Sequence, residues 1–156
     1  QVIIMEKQQN LKLIIHAKRL TAKDIPEVLN LLNTSDAAKN AGLKLMGNST
    51  VQRWALNNWL TDDELYGIFD DQKLIGIIAI FGNDNDGELG YFIEPDYQNR
   101  HIMTRMLSKV LQRTDYQTLF AQTTIDNRAS QRVLENNHFQ KENVELTSVQ
   151  YRWIND

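Results

Sequence analysis

Apolar residues recur along this chain at two different spacings, and the changes of spacing mark out its elements. Ile102, Met103, Met106, Leu107, Val110 and Leu111 fall at helical intervals and leave Arg105, Lys109, Gln112 and Arg113 opposite, so a helix is predicted after Arg100. The segment GELGYFIEP before it reads as a strand, joined to the helix by the polar DYQNRH. Upstream, LKLIIHAKRL reads as a first strand, and Thr21 to Asp24 supplies a capping signal for a helix carrying Ile25, Val28, Leu29 and Leu32, with Pro26 in its first turn. After the polar stretch NTSDAAKNAGLKLMGNS, Ser49 or Thr50 is expected to cap a second helix bearing Val51, Trp54, Ala55 and Trp59. ELYGIF and KLIGIIAIF read as strands joined at Asp70 to Gln72, the second apolar enough to be central. TLFAQTTI and SVQYRWI complete the strands, with a further helix after Asn127. No repeat or low-complexity linker interrupts this order, so one domain is expected over residues 1–156.

Composition narrows the classes. At 42% hydrophobic and 24% charged, 156 residues suit one folded unit with a sizeable core. A net charge of -3 supplies no basic field, so nucleic acid is not an expected partner. The absence of cysteine removes disulfides, thiolate nucleophiles and Cys-based metal sites. LIGIIAIF is too short to span a bilayer and QVIIMEK lacks a signal-peptide layout, so no membrane partner and a cytoplasmic location are expected. NDNDGE resembles a calcium loop, but an EF-hand frame puts Gly82 at the first ligand position and Ile93 at the last, and a polar hairpin tip is the better reading. His16, His101 and His138 are scattered, and no metal is expected.

A strand that feeds a polar loop opening a helix is a place to hold a phosphate, because first-turn amides are unpaired and the helix dipole favours an anion. At these residues the chain resembles the Gcn5-related N-acetyltransferases (GNAT), and more narrowly their ribosomal-protein-acetylating branch. That family's acetyl-CoA loop reads Gln/Arg-x-x-Gly-x-Gly/Ala, and Gln98, Asn99, Arg100, His101, Ile102, Met103 and Thr104 occupy its frame, including the branch's Ile-Met-Thr run. IDNRASQRVLENNHFQKE is similar to the family's Asn-x-x-Ser helix and following Gly-Phe step, with Asn127, Ser130, Val133, Leu134, Glu135 and Phe139 on the pattern. The resemblance covers roughly residues 16 to 154. His101 stands where the family has a glycine, and Asn99 where relatives often have another; both residue types tolerate positive φ better than most. His138 replaces the glycine that ends the second helix, and Asn137 is expected to serve as the left-handed cap.

The resemblance implies an α/β domain with a mixed, mostly antiparallel sheet flanked by helices, and direct transfer of acetyl from acetyl-CoA to an amine, a peptide N-terminus or a small molecule. It also implies that the strand around Phe92, Ile93 and Glu94 splays from its neighbour and pairs with the pantetheine amides. The diphosphate then falls on amides from Asn99 to Thr104, with Arg100 supplying charge and Asn127 touching the cofactor from the other side. Glu88 is the candidate base for the acceptor ammonium, the alternative being a solvated hairpin-end carboxylate beside Asp86. Ser130 is the candidate donor to the leaving thiolate, or else an ordinary first-turn residue. No tyrosine lies between Asn127 and Gln150, so the general acid falls to Ser130 or to solvent, and Tyr151 reads as a strand residue. For Asn127 the alternative is a helix N-cap, for Arg100 a solvated loop charge, and Trp54, Trp59 and Trp153 are expected in the core. The competing function is a catalytically weak CoA-binding or sensing module, and a homodimer is left open.

Overall fold

KLIGIIAIF, the most apolar run in the sequence, lies at the middle of the sheet, where both of its faces are covered. In the computed structural model, which describes residues 2–6 and 12–156, this run belongs to β4 (Lys73–Asn83). It is buried without a break from Leu74 to Ile80. The strands before it are β1 (Ile3–Glu6), β2 (Lys12–Arg19) and β3 (Glu64–Asp70), and those after it are β5 (Asp86–Ile93), β6 (Thr118–Thr124), β7 (Gln140–Val144) and β8 (Ser148–Ile154). Among the described residues the sheet order is β1-β2-β3-β4-β5-β6-β8-β7, and every pairing is antiparallel except β5 with β6. The expected α/β architecture is the one found. The expected first strand begins at Leu11, which lies outside the described residues.

Among the described residues five α-helices cover the two faces: α1 (Ile25–Thr34), α2 (Asp36–Asn40), α3 (Ser49–Asp62), α4 (Ile102–Leu111) and α5 (Arg128–Asn136). Alternation along the strands sends Leu65, Phe69, Ile77 and Phe92 to one face, against Val28, Leu29 and Leu32 of α1 and Leu56 of α3. Ile68, Ile78, Leu89 and Ile93 go to the other, against Ile102, Met106, Leu107 and Val110 of α4 and Leu134 of α5. No helix among the described residues is long and apolar enough to cross a membrane.

Several local expectations are corrected. Asn48, not Ser49 or Thr50, caps α3, its Oδ1 accepting from the Val51 amide at 3.0 Å. Trp54 is 68% exposed, because the inward stripe of α3 runs through Gln52, Leu56, Trp59 and Leu60 rather than through Val51 and Trp54. Trp59 and Trp153 are partly buried, against Phe81 and Phe139. Asp24 bonds back to the Thr21 amide at 2.9 Å and starts a 3-10 turn, Ala22–Asp24, that runs into α1. The short strands β1 and β7 were not expected; β7 is exposed at all five positions, so no apolar alternation announces it.

The feature that positions the site is where β5 and β6 part. Their parallel pairing runs only from Asp86↔Thr118 to Leu89↔Ala121. Beyond it β5 continues to Ile93 against β4, while β6 continues to Thr124 against β8. A bulge lies close by, since Ile68 of β3 faces Gly76 but Phe69 faces Leu74, which leaves Ile75 as the extra residue on β4. Such an extra residue bends its strand and raises the local twist. The Ile75 carbonyl accepts from the Glu94 amide at 2.8 Å, so the bent stretch of β4 carries the end of β5 with it. Gly76 permits this close approach, because a Cβ there would lie 2.5 Å from the Phe92 carbonyl oxygen. Gly76→Ala is therefore expected to destabilise the fold by about 1–3 kcal/mol. Urea unfolding measures this, and an unchanged midpoint would show that the strands yield without cost.

Candidate active site

The parting strands open a cleft of about 1390 Å3. Its walls are residues 89–93 of β5, residues 121–124 of β6, the loop and first turn leading into α4, one side of α5, and α2 with Gly42. The Glu94 amide points at β4, and because backbone direction alternates along a strand, so do the polar groups of Phe92, while those of Tyr91 and Ile93 point toward the opening. The Ile93 carbonyl accepts from Gln98 Nε2 at 3.0 Å, which ties the loop before α4 to the lip of β5.

That loop begins with a 3-10 turn, Pro95–Tyr97, anchored by the buried Tyr97, whose hydroxyl donates to Asp70 Oδ2 at 2.7 Å. Asn99 and His101 then both adopt left-handed backbone, at φ 60° and 62°. The chain thus follows a path suited to glycine although both positions carry side chains. His101 is the N-cap of α4 and makes no side-chain cap bond, and among the described residues no side chain bonds to the first-turn amides of residues 102–104. These amides sit at the positive end of the helix dipole and suit an anion.

Gln98, Asn99, His101, Ile102, Met103 and Thr104 all line the cleft. Ile102 and Met103 bury their side chains in the core, so they offer it mainly backbone. Arg100 is not part of the lining. Its charge acts on Tyr97 instead: burial and the Asp70 hydrogen bond push that phenol up to about 12, and Arg100 pulls weakly the other way. Phe92 and Ile93 line the cleft, but Glu94 does not. The Glu94 carboxylate accepts from Ser35 Oγ and its carbonyl from the Tyr97 amide, so its groups are used in joining α2 and the loop to β5.

On the far wall, Asn127 caps α5, with Oδ1 accepting from the Ser130 amide at 3.1 Å, and it also lines the cleft. The N-cap reading of this residue is therefore the one the hydrogen bonds show, and its side chain also faces the cleft. Ser130 Oγ lies 2.7 Å from the Tyr91 hydroxyl, which also donates to the Ser130 carbonyl at 3.2 Å. Burial pushes the Tyr91 phenol up to about 12, opposed by the Ser130 hydrogen bond. Sequence reasoning missed Tyr91 because it sought a tyrosine only downstream of Asn127; the signal was strand alternation in GELGYFIE, which turns Tyr91 to the same face as Leu89 and Ile93. Arg132 was missed too, as an exposed cation on the cleft side of α5.

Glu88 is exposed and lies outside the cleft lining. It shares the sheet face of Gly90, two residues and roughly 7 Å along β5 from where the opening begins. It is opposite Phe81 on one side and Phe120 on the other. Among the described residues its carboxylate has no hydrogen-bond or ion-pair partner. No group of three or more His, Asp or Glu among the described residues is arranged to hold a metal ion.

The end of α5 departs from expectation in a way that bears on the cleft. His138, not Asn137, is the left-handed residue, at φ 68°. The His138 amide bonds to Glu135 and the Phe139 amide to Leu134, closing the helix in the manner usual for glycine. Asn137 is buried, and its Nδ2 donates to the Thr104 carbonyl at 3.1 Å and the Val133 carbonyl at 3.0 Å, fixing the end of one wall to the first turn of the other.

Comparison with known proteins places these features in context. The family model described as Acetyltransferase (GNAT) domain matches residues 15–140. No curated protein matches in sequence. Among solved structures, the chain is similar to a GNAT-family acetyltransferase from Streptococcus pneumoniae, with TM-score 0.75 and 16% identity over 90% of this chain and 98% of that one. It is similar to the ribosomal-protein-S5-alanine acetyltransferase from Vibrio fischeri, with TM-score 0.72 and 15% identity over 99% and 97%. The spermidine N-acetyltransferase from Vibrio cholerae, solved in complex with CoA and spermine, matches with TM-score 0.73 and 15% identity over 90% and 95%.

Two outcomes follow from this geometry. Asn137→Ala leaves buried carbonyls short of a donor and is expected to lower unfolding free energy by about 1–3 kcal/mol in urea; a change within about 0.5 kcal/mol would mean that water replaces the amide. The Tyr91 phenol is held at about 12 in the folded protein against an ordinary 10.0, so the neutral form favours folding. Its contribution is full below pH 10 and is lost as pH rises from 10 toward 12. Stability should accordingly fall less steeply over that range in Tyr91→Phe than in the wild type, and parallel profiles would contradict the assignment.

Proposed function

The chain belongs to the GNAT acetyltransferase family and is an N-acetyltransferase, and from that premise we propose that acetyl-CoA lies in the cleft between β5 and β6 and gives its acetyl group directly to an amine arriving over the Glu88 face. The observation that carries this reading is the parting of β5 from β6 beside an uncapped helix start. A strand edge with unpaired amides accepts an amide-bearing chain as an added strand, and pantetheine is such a chain. Tyr91 and the amide N–H of Ile93, whose carbonyl already accepts from Gln98, supply those groups in place of the Phe92 and Glu94 backbone that points at β4. Amides from Asn99 to Thr104 take the diphosphate. Gln98 steadies this wall through Ile93, and Arg132, which lines the cleft as Arg100 does not, offers the charge. Asn127 keeps Nδ2 for the cofactor while Oδ1 caps α5.

In the reaction proposed, an ammonium first loses a proton to Glu88 through water, since only the free amine can attack. Attack on the thioester carbonyl forms the C–N bond, the attacking nitrogen gives up its second proton to water, and collapse breaks C–S with its electron pair leaving on sulfur. Ser130 Oγ–H donates to that thiolate, which gains its proton from solvent on release. No acyl-enzyme is needed. α2 and α3 form the acceptor's side, and the acceptor is a peptide N-terminus or a small-molecule amine in the cytoplasm. The place of Glu88 outside the cleft lining favours one alternative, a catalytically weak CoA-binding or sensing module. Glu88→Gln separates the two: turnover should drop roughly a hundredfold with CoA affinity by calorimetry unchanged. Equal turnover of the variant and wild type from pH 6 to 9, a range of about three units around neutrality, would remove Glu88 as the base.

A further inference from the structure

We propose that Tyr91 is a positioning residue for acetyl transfer, spanning the mouth of the cleft to hold Ser130 so that its hydroxyl can donate to the departing thiolate; this role rests on the acetyltransferase reading above. Tyr91 stands just past Leu89, the last residue of β5 that pairs with β6. Its ring crosses to α5, where its hydroxyl meets both Ser130 Oγ, at 2.7 Å, and the Ser130 carbonyl, at 3.2 Å. The Asn127 side chain holds the Ser130 amide at 3.1 Å, so three of the serine's polar groups are fixed by two residues that also line the cleft.

One phenolic proton serves two acceptors, which makes the pair bistable. When Tyr91 donates to the carbonyl, Ser130 directs its own proton at the phenolic oxygen. When Tyr91 donates to Ser130 Oγ, the serine proton is free to turn into the cleft. Negative charge on sulfur favours the second arrangement, and donation from Tyr91 polarises the serine hydroxyl and strengthens its bond to the thiolate. No proton changes owner in this step. A phenol held near 12 stays protonated throughout, which suits a donor of hydrogen bonds rather than of protons. The position thereby supplies from β5 a tyrosine that the segment after Asn127 lacks.

The test is a double-mutant cycle on acceptor-dependent CoA release, with wild type, Tyr91→Phe, Ser130→Ala and the double variant, and with an alanyl peptide, spermidine and lysine as amines. Tyr91→Phe should lower kcat roughly tenfold and leave KM for acetyl-CoA within about twofold, while adding nothing in the Ser130→Ala background. A purely structural hydroxyl would instead give equal losses in both backgrounds, and that result, or an unchanged kcat in Tyr91→Phe, overturns the role while leaving the transferase reading intact. If the wild type binds CoA but acetylates none of the amines, the transferase reading falls and this role falls with it.

Discussion

The unmade pairing between the ends of β5 and β6 is the constraint on which the rest of this molecule depends. Backbone donors and acceptors that turn away from a neighbour have to be satisfied elsewhere, and a sheet interior offers them nothing. Here two adjacent strands each keep a different partner, β4 for β5 and β8 for β6, so neither can close the gap without breaking its own ladder. The bulge at Ile75 and the absent Cβ at Gly76 set the bend on one side, and Tyr91 reaches over the gap to the first turn of α5. What enters the cleft has to bring complementary polar groups of its own. In the function proposed above, the opening itself, rather than any single side chain, is what suits an amide-bearing, anionic cofactor.

Three left-handed residues that are not glycine lie around the cleft, Asn99 and His101 before α4 and His138 after α5. Each carries a backbone cost on the order of 1 kcal/mol. Packing and hydrogen bonding on either side hold them in place: Tyr97 on Asp70 and Gln98 on Ile93 before the first pair, and the buried Asn137 beside the last. The Asn137 amide also joins the two walls, so the spacing between the start of α4 and the end of α5 is set by one side chain whose role is hidden inside a polar run.

Much of the fold was legible because burial imposes periodicity. The α4 stripe, the apolar β4 run and the order of the main strands all follow from residues that have to face a core, whereas α5 was legible through its Asn-x-x-Ser pattern. The edge strand β7 was not legible, since an exposed edge demands no alternation, and Trp54 misled because a large apolar residue on a helix is not always on its inward side. In the site, the loop before α4 was readable from its strand, loop and helix setting. The direction of individual groups was not. Whether Arg100 faces the cleft, which of Phe92, Ile93 and Glu94 presents its amide, and which tyrosine meets Ser130 depend on tertiary placement that no spacing in the sequence encodes.

The wall of this cleft that the proposed function gives to the cofactor presents the main chain of the lip of β5, two left-handed links and the opening turn of α4. Peptide groups are common to every residue, so such a wall constrains the path of the chain and leaves its lettering almost free. A substitution there leaves the main chain that the wall presents unchanged, provided that the newcomer tolerates the local torsion. Asn99 and His101, both in left-handed backbone on the cleft, show that side chains can stand along such a path without altering its course.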